Sequence, residues 1–239
     1  MANPIFDHIN LKKLYTIGAV TSLLQLATIF IYMMVVAILG PRVTGAEEFY
    51  LLQQTDFWAS FLRVDLLLLI LVGLYLGNFP ALILTLWRHN PVMTLFASGF
   101  TLIAIILSFA GEATFALNHL SKLYATASSD LERARLVSAG EGILASGWWN
   151  SSASYVTGIL LQGGAMMISI VMLSSPSFSK VTAWAGLIGN SFDLLQHLIA
   201  PFAPGISEYL SFAMILYLLW YPMLARDLFR LAKIPQDNS

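Results

Sequence analysis

The sequence predicts an all-α membrane protein: a six-transmembrane-helix bundle with a short extramembrane or interfacial helix between helices three and four. Three observations carry this. Hydrophobic residues make up 58% of the 239 and charged residues only 10%, against about 25% charged in a soluble domain. The apolar residues fall into six runs, each near the length of about 20 residues that crosses a hydrocarbon core about 30 Å thick. The one sizeable polar stretch opens with Ser129 and Glu132, at the spacing of a capping box that starts a helix.

The first run, about 15–40, carries no charge between Lys13 and Arg42. The preceding "MANPIFDHINLKK" does not read as a signal peptide, because the apolar run is too long and no small-residue cleavage site closes it. This span is therefore read as retained. Its stripe Ser22, Gln25 and Thr28 suits hydrogen bonding between helices. The second run, about 57–78, ends where Asn78 and Pro80 disturb it, and "ALILTLWRHN" continues as an extension or a kinked end. Its "GLYLG" (73–77) has the GxxxG spacing of a close helix contact. The third, about 91–112, starts at Pro91, a favoured first helical position, and continues as helix past His119. The polar helix "DLERARLVSAGEGIL" follows, and "GWWN" after it suits an interfacial aromatic belt.

The fourth run covers about 153–173, where "LQGGAMM" reads as close packing, and "SSPSFSK" (174–180) is a turn. The fifth covers about 181–200, with "PFAPG" (201–205) breaking it, and the sixth about 209–225. Connections are short, so the chain reads as a single integral membrane domain, 1–239, in the cell membrane. Lysine and arginine set the orientation. Lys12, Lys13, Arg88, Lys180, Arg226, Arg230 and Lys233 collect on one side, and Arg42, Lys122, Arg133 and Arg135 on the other. Both termini are thus expected in the cytoplasm.

Composition also excludes. No block of basic residues points to nucleic acid. Cysteine is absent, which removes disulfides, thiolate metal sites and cysteine nucleophiles. The four histidines offer no matched pair for a b-type haem. The sequence leaves the cofactor open. The expected partners are the lipid bilayer, a small-molecule or lipid ligand, and other membrane subunits.

The polar residues within the spans draw attention because an ionisable group in the bilayer costs about 2.5–3.5 kcal/mol on insertion scales. At 1.5 Å per residue, Arg63 and Asp65 fall about 9 and 12 Å inside the outer end of the second span. Asp193 and His197 fall about 12 and 6 Å from the outer end of the fifth. Glu112 lies near the outer end of the third, with His119 about two turns further. Alternating helix directions bring these groups to one level. Asn190, Asp193 and His197 (i, i+3, i+7) share one helical stripe, as do Ser108, Glu112 and His119 (i, i+4, i+11). Arg63 and Asp65, two residues apart, cannot share a face.

Three readings of this cluster stand side by side. It is a structural network pairing Arg63 with Glu112 or Asp193. It is an outward-facing cavity that binds or translocates a small molecule, ion or lipid. Or it is a catalytic or metal site, as of an intramembrane hydrolase using His and carboxylates, although no tight ligand motif such as HExxH is present. A structural subunit of a larger membrane complex would need only the first.

The stretches "NHLSKLYATASSDLERARLVSAGEGILA", "NSSASYVTGILLQGG", "FSKVTAWAGLIGNSFDLLQHLIAP" and "LWYPMLARDLFRL" resemble the membrane family catalogued as domain of unknown function 4386. The resemblance covers about residues 60–233 and implies a prokaryotic polytopic membrane protein. It implies no reaction or ligand, so it assigns no role to Asp193 or His197.

The orientation is testable with topology reporters. Tags at the N-terminus, in the 174–180 turn and at the C-terminus should report cytoplasm, and a tag near Ser129 the outside. A cytoplasmic signal at Ser129 overturns the orientation.

Overall fold

The computed structural model describes residues 10–147, 151–210 and 212–234, and every regular element among them is helical. Helix α1 (Leu11–Leu39) is opened by Asn10, whose Oδ1 accepts from Lys13 N at 3.0 Å, and closed by Gly40 at a φ of 95°. That left-handed conformation favours glycine. There follow α2 (Ala46–Thr55), α3 (Phe57–Leu62), α4 (Leu66–Gly73) and α5 (Tyr75–Trp87). Asp56 separates α2 from α3 and caps α3, accepting from Ala59 N at 2.9 Å. Next come α6 (Pro91–Ala110), α7 (Thr114–Thr126) and α8 (Asp130–Ser146). The set ends with α9 (Ser152–Ser174), α10 (Lys180–Ile199), α11 (Pro204–Leu210) and α12 (Ala213–Lys233).

Among the described residues four stretches are long and apolar enough to cross a membrane: α1, α4 with α5 (Leu66–Trp87), α6 with α7 (Pro91–Thr126), and α9. Helices α10 and α12 have the length, 20 and 21 residues. They carry Lys180, Asp193 and His197, and Arg226, Asp227, Arg230 and Lys233, and neither is among the four.

The second run starts later than the sequence suggests. A turn at 63–65 separates α3 from α4, held by a hydrogen bond from Val43 N to Arg63 O at 2.9 Å. The apolar helix therefore begins at Leu66, not near Phe57. It breaks at Leu74 and then runs through Pro80 to Trp87. The chain between the first two long helices is not a plain connection but contains α2 and α3. The polar helix α8 forms as expected, with one change at its start. Ser129 Oγ accepts from Glu132 N, but the Glu132 carboxylate returns to the N–H of Ser128, not to that of Ser129. The expected aromatic belt at Trp148 and Trp149, and Asn150 beside it, lie outside the described residues.

The chain packs as two compact units. One comprises Ala27–Gly73 and Ile103–Gly158, the other Met1–Leu26, Leu74–Leu102 and Ile159–Ser239. In the first, α2 packs against α7 and α8 around Val43, Ala46, Phe49, Tyr50, Leu117 and Leu144. Tyr50 donates to Leu136 O at 3.0 Å. Burial, with Glu141 nearby, pushes its phenol up to about 12, so the hydroxyl remains a donor. Gly140 is required there, because a Cβ would fall 2.1 Å from the Tyr50 hydroxyl.

In the second unit α10 packs against α12 and α11. Trp220, Tyr221, Leu224 and Leu228 are buried with Ile168 and Met172 of α9. "GLIG" (186–189) permits the close approach. A Cβ at Gly186 would lie 2.5 Å from both Ser169 Oγ and Trp220 Nε1, and one at Gly189 3.3 Å from Leu216 Cβ. Gly77 of "GLYLG" meets Thr21 of α1 in the same way, with 2.3 Å to Thr21 Cγ2. Beside it Asn78 Nδ2 donates to Gln25 Oε1 at 2.6 Å and lies 3.4 Å from Ser22 Oγ. Two members of the polar stripe on α1 thus join helices. Gly186→Ala should overpack the junction of α9, α10 and α12 and cost about 1–3 kcal/mol. Thermal unfolding of the purified protein measures it.

Candidate functional site

The site is built from three helices of the second unit. On α10 the 3.6-residue repeat puts Asn190, Asp193 and His197 on one stripe, as the sequence suggests. Tyr217 of α12 reaches it. The Tyr217 hydroxyl lies 2.8 Å from Asp193 Oδ2, 3.1 Å from Asn190 Oδ1 and 3.1 Å from Gln162 Oε1 of α9. Asn190 is fully buried, and its amide is oriented by donating from Nδ2 to Gly186 O at 2.6 Å. His197 Nδ1 sits 2.8 Å from the Asp193 backbone oxygen and 3.5 Å from Asp193 Oδ1. The Asp193 side chain is 17% exposed and that of His197 35%. The imidazole is therefore the more open end of the line and the Tyr217 phenol its inner end.

Aromatic rings close the inner end. Tyr217, Trp220 and Tyr221 stack along α12 with centroids 5.2–6.0 Å apart. Tyr221 shares a hydrogen bond of 2.9 Å with Tyr75 of α5. Trp220 Nε1 is buried without a hydrogen-bond partner. These rings form an aromatic wall beside the Tyr217 end of the line.

A second carboxylate in this unit serves a different purpose. Asp227 of α12 is fully buried and accepts from Ser179 N at 2.9 Å and Thr182 Oγ1 at 2.6 Å. Arg226 lies 3.1 Å and Arg230 3.8 Å from its Oδ1. Burial pushes the Asp227 carboxyl up, but the Thr182 hydroxyl, the Ser179 N–H and Arg226 outweigh it and hold the group below the usual carboxylate range. This is an anchor between the start of α10 and the end of α12.

The other residues singled out by sequence belong to the first unit. Arg63 donates from Nε to Pro41 O at 2.8 Å and pairs with Glu48 at 3.0 Å. Its partners are therefore neither Glu112 nor Asp193. Asp65, fully buried, pairs with Arg42 at 3.2 Å. These two sit in the turn before α4 rather than within a crossing helix. Glu112 accepts from Thr114 N at 2.6 Å and so caps α7. His119 is exposed on α7. The structure thus brings together Asn190, Asp193 and His197, and adds Tyr217 and Gln162, which sequence reading did not single out. Their signal was a hydroxyl and an amide inside otherwise apolar runs. Among the described residues no group of three or more His, Asp or Glu side chains is placed to hold a metal ion.

No protein-family model, curated protein or solved structure matches the chain.

The anchor gives a prediction with a sign. Asp227→Ala should cost about 3 kcal/mol, because two donors and two guanidinium groups lose their buried partner. The lowered Asp227 carboxyl contributes stability at neutral pH that is lost as pH falls through its folded-state value. The stability gap between the wild type and Asp227→Ala should therefore narrow as pH falls, the variant's profile being the flatter. Thermal melts across acid pH check this.

Proposed function

We propose that the protein is a polytopic membrane protein that binds or translocates a small molecule or ion at the line His197, Asp193, Tyr217. The observation that carries this reading is the difference between two carboxylates of the second unit, the fully buried Asp227 and the part-exposed Asp193. Asp227 is held by backbone and guanidinium groups, as a structural anchor requires. Asp193 is held by a phenol and an imidazole, groups that exchange protons and re-aim their hydrogen bonds. An intramembrane ionisable group of that kind is by default a functional-site candidate.

In this reading α10 and α12 are the fifth and sixth crossing helices. Supporting it, exposed apolar side chains line one side of α10 (Val181, Trp184, Ile188, Leu195, Leu198) and continue on α12 at Phe212, Ile215 and Leu219. These suit contact with lipid. Asp193 and His197 then open toward the outer side, both termini lie in the cytoplasm, and α8 lies outside the hydrocarbon core. Kinship with the family catalogued as domain of unknown function 4386 belongs to the same proposal and rests on the motifs that resemble it. The "GLIG" step among them has a physical role here, since Gly186 and Gly189 let α10 approach α12.

The double replacement Asp193→Leu with His197→Leu tests the reading. A buried polar pair that only holds helices together can be replaced by apolar residues at little cost. The expected result is a folded protein with near wild-type thermal stability. In a proteoliposome screen of ions and small solutes it should have lost the flux or binding that the wild type shows. A doubly apolar protein that retains full activity would assign the pair to the scaffold.

A further inference from the structure

Three basic side chains gather at the 174–180 turn between α9 and α10. Arg226 and Arg230 stand one turn apart on α12. Their Nη2 atoms lie 3.1 and 3.8 Å from the same oxygen, Asp227 Oδ1. Arg230 Nη2 also donates to Ser177 O of the turn at 2.6 Å. Lys180, the first residue of α10, donates from Nζ to Leu173 O near the end of α9. Backbone carbonyls at and just before the turn thus hold two of the cations, and Asp227 holds the third.

The charges at this turn do not cancel. Asp227 supplies one negative charge against three positive ones. It is fully buried, and its other oxygen is taken by Ser179 N and Thr182 Oγ1. Lys180 forms no ion pair among the described residues. The Arg226 and Arg230 side chains stay 57% and 52% exposed, and Lys180 is exposed. Each guanidinium carries five N–H donors, more than these contacts use. The anchor that fastens α10 to α12 therefore leaves an uncompensated positive surface on its outward side.

An apolar stripe runs along α10 from the same point. Val181, Trp184 and Ile188 are exposed. Trp184 lies one turn beyond Lys180, about 6 Å along the axis, as suits an indole at a membrane interface. A ligand that matches both features carries an anion at one end and hydrocarbon beside it. A soluble anion or an acidic peptide matches the cations and leaves the stripe bare. A zwitterionic lipid brings a cation of its own. We propose that this end of α10 and α12 binds an anionic phospholipid, with its phosphodiester held by Arg226, Arg230 and Lys180 and an acyl chain along Val181, Trp184 and Ile188. Guanidinium groups suit the task because they take phosphate oxygens in pairs. The site rests on the placement of α10 and α12 across the membrane proposed above, and on no role of Asp193 or His197.

The chain contains no cysteine, so Trp184→Cys accepts a single bimane fluorophore. The labelled full chain is placed in phosphatidylcholine nanodiscs holding a minor fraction of nitroxide-labelled phosphatidylglycerol or, separately, nitroxide-labelled phosphatidylcholine. Both should quench the fluorophore, phosphatidylglycerol more strongly at equal mole fraction. Adding Lys180→Gln should cut that preference about fivefold, the effect of one basic residue near an anionic lipid surface. This change leaves Asp227 and its arginines in place, so the fold is kept. Arg226→Gln with Arg230→Gln should abolish the preference; where that pair of changes unfolds the protein, Lys180→Gln alone decides. Equal quenching by the two headgroups, or a preference that Lys180→Gln leaves unchanged, overturns the lipid site while the placement of α10 across the membrane stands. A preference erased by glycerol phosphate equimolar with the labelled lipid also overturns it, because the cations then serve a soluble anion. Quenching by neither lipid overturns the site and the placement of α10 together.

Discussion

The hydrogen bonds of the Tyr217 hydroxyl are the interaction on which the second unit depends. They tie α9, α10 and α12 together. For the phenol to reach Asn190 and Asp193, α10 and α12 must run close together, and Gly186 and Gly189 make that approach sterically open. Asp227 fastens the same helix pair at the other end, to Ser179 and Thr182. Thr182 and Asp193 are eleven residues apart, about 16 Å of helix. The early residues of α10 meet the late residues of α12, and the later ones meet Tyr217, so the two helices run antiparallel with a clamp near each end.

The clamps differ in chemistry, and that difference separates scaffold from site. At Asp227 the charge is neutralised by guanidinium groups and satisfied by a backbone N–H, an arrangement with nothing left to exchange. At Asp193 the partners are themselves proton carriers, and the more exposed of them, His197, faces away from the aromatic wall. A carboxylate beside a phenol and an imidazole can change its hydrogen-bond pattern with the gain or loss of one proton. In the proposed function, such a two-state element would couple binding at the site to a change elsewhere.

Much of the helical framework was legible in the sequence, because apolar runs of crossing length and cap residues are local signals. The polar helix opened by Ser129 and Glu132, the turn before Lys180 and the start at Pro91 all followed from such signals. The stripe Asn190, Asp193, His197 was legible too, since helical spacing alone puts those residues on one face. What failed was depth. Arg63 and Asp65 were placed inside a span because the apolar run was read from Phe57. A three-residue turn ends α3 there, and each charge finds a partner nearby, Glu48 and Arg42. Glu112 likewise serves its own helix end. Tyr217 and Gln162 were missed because a single phenol or amide in an apolar helix has no sequence pattern. Only packing reveals that three helices aim them at one point. Helices α2 and α3 were hidden by their short length.

The central claim is that Asp193 and His197 form a reachable polar site within the helices rather than a lipid-facing or sealed contact. The chain contains no cysteine, so single-cysteine accessibility measures this directly. In a background otherwise unchanged, His197→Cys in intact cells should react with a membrane-impermeant thiol reagent. Leu198→Cys, on the exposed apolar side of the same helix, should not. Reaction of Leu198→Cys with no reaction of His197→Cys would contradict the account, because it would place the polar stripe away from water and the apolar stripe toward it.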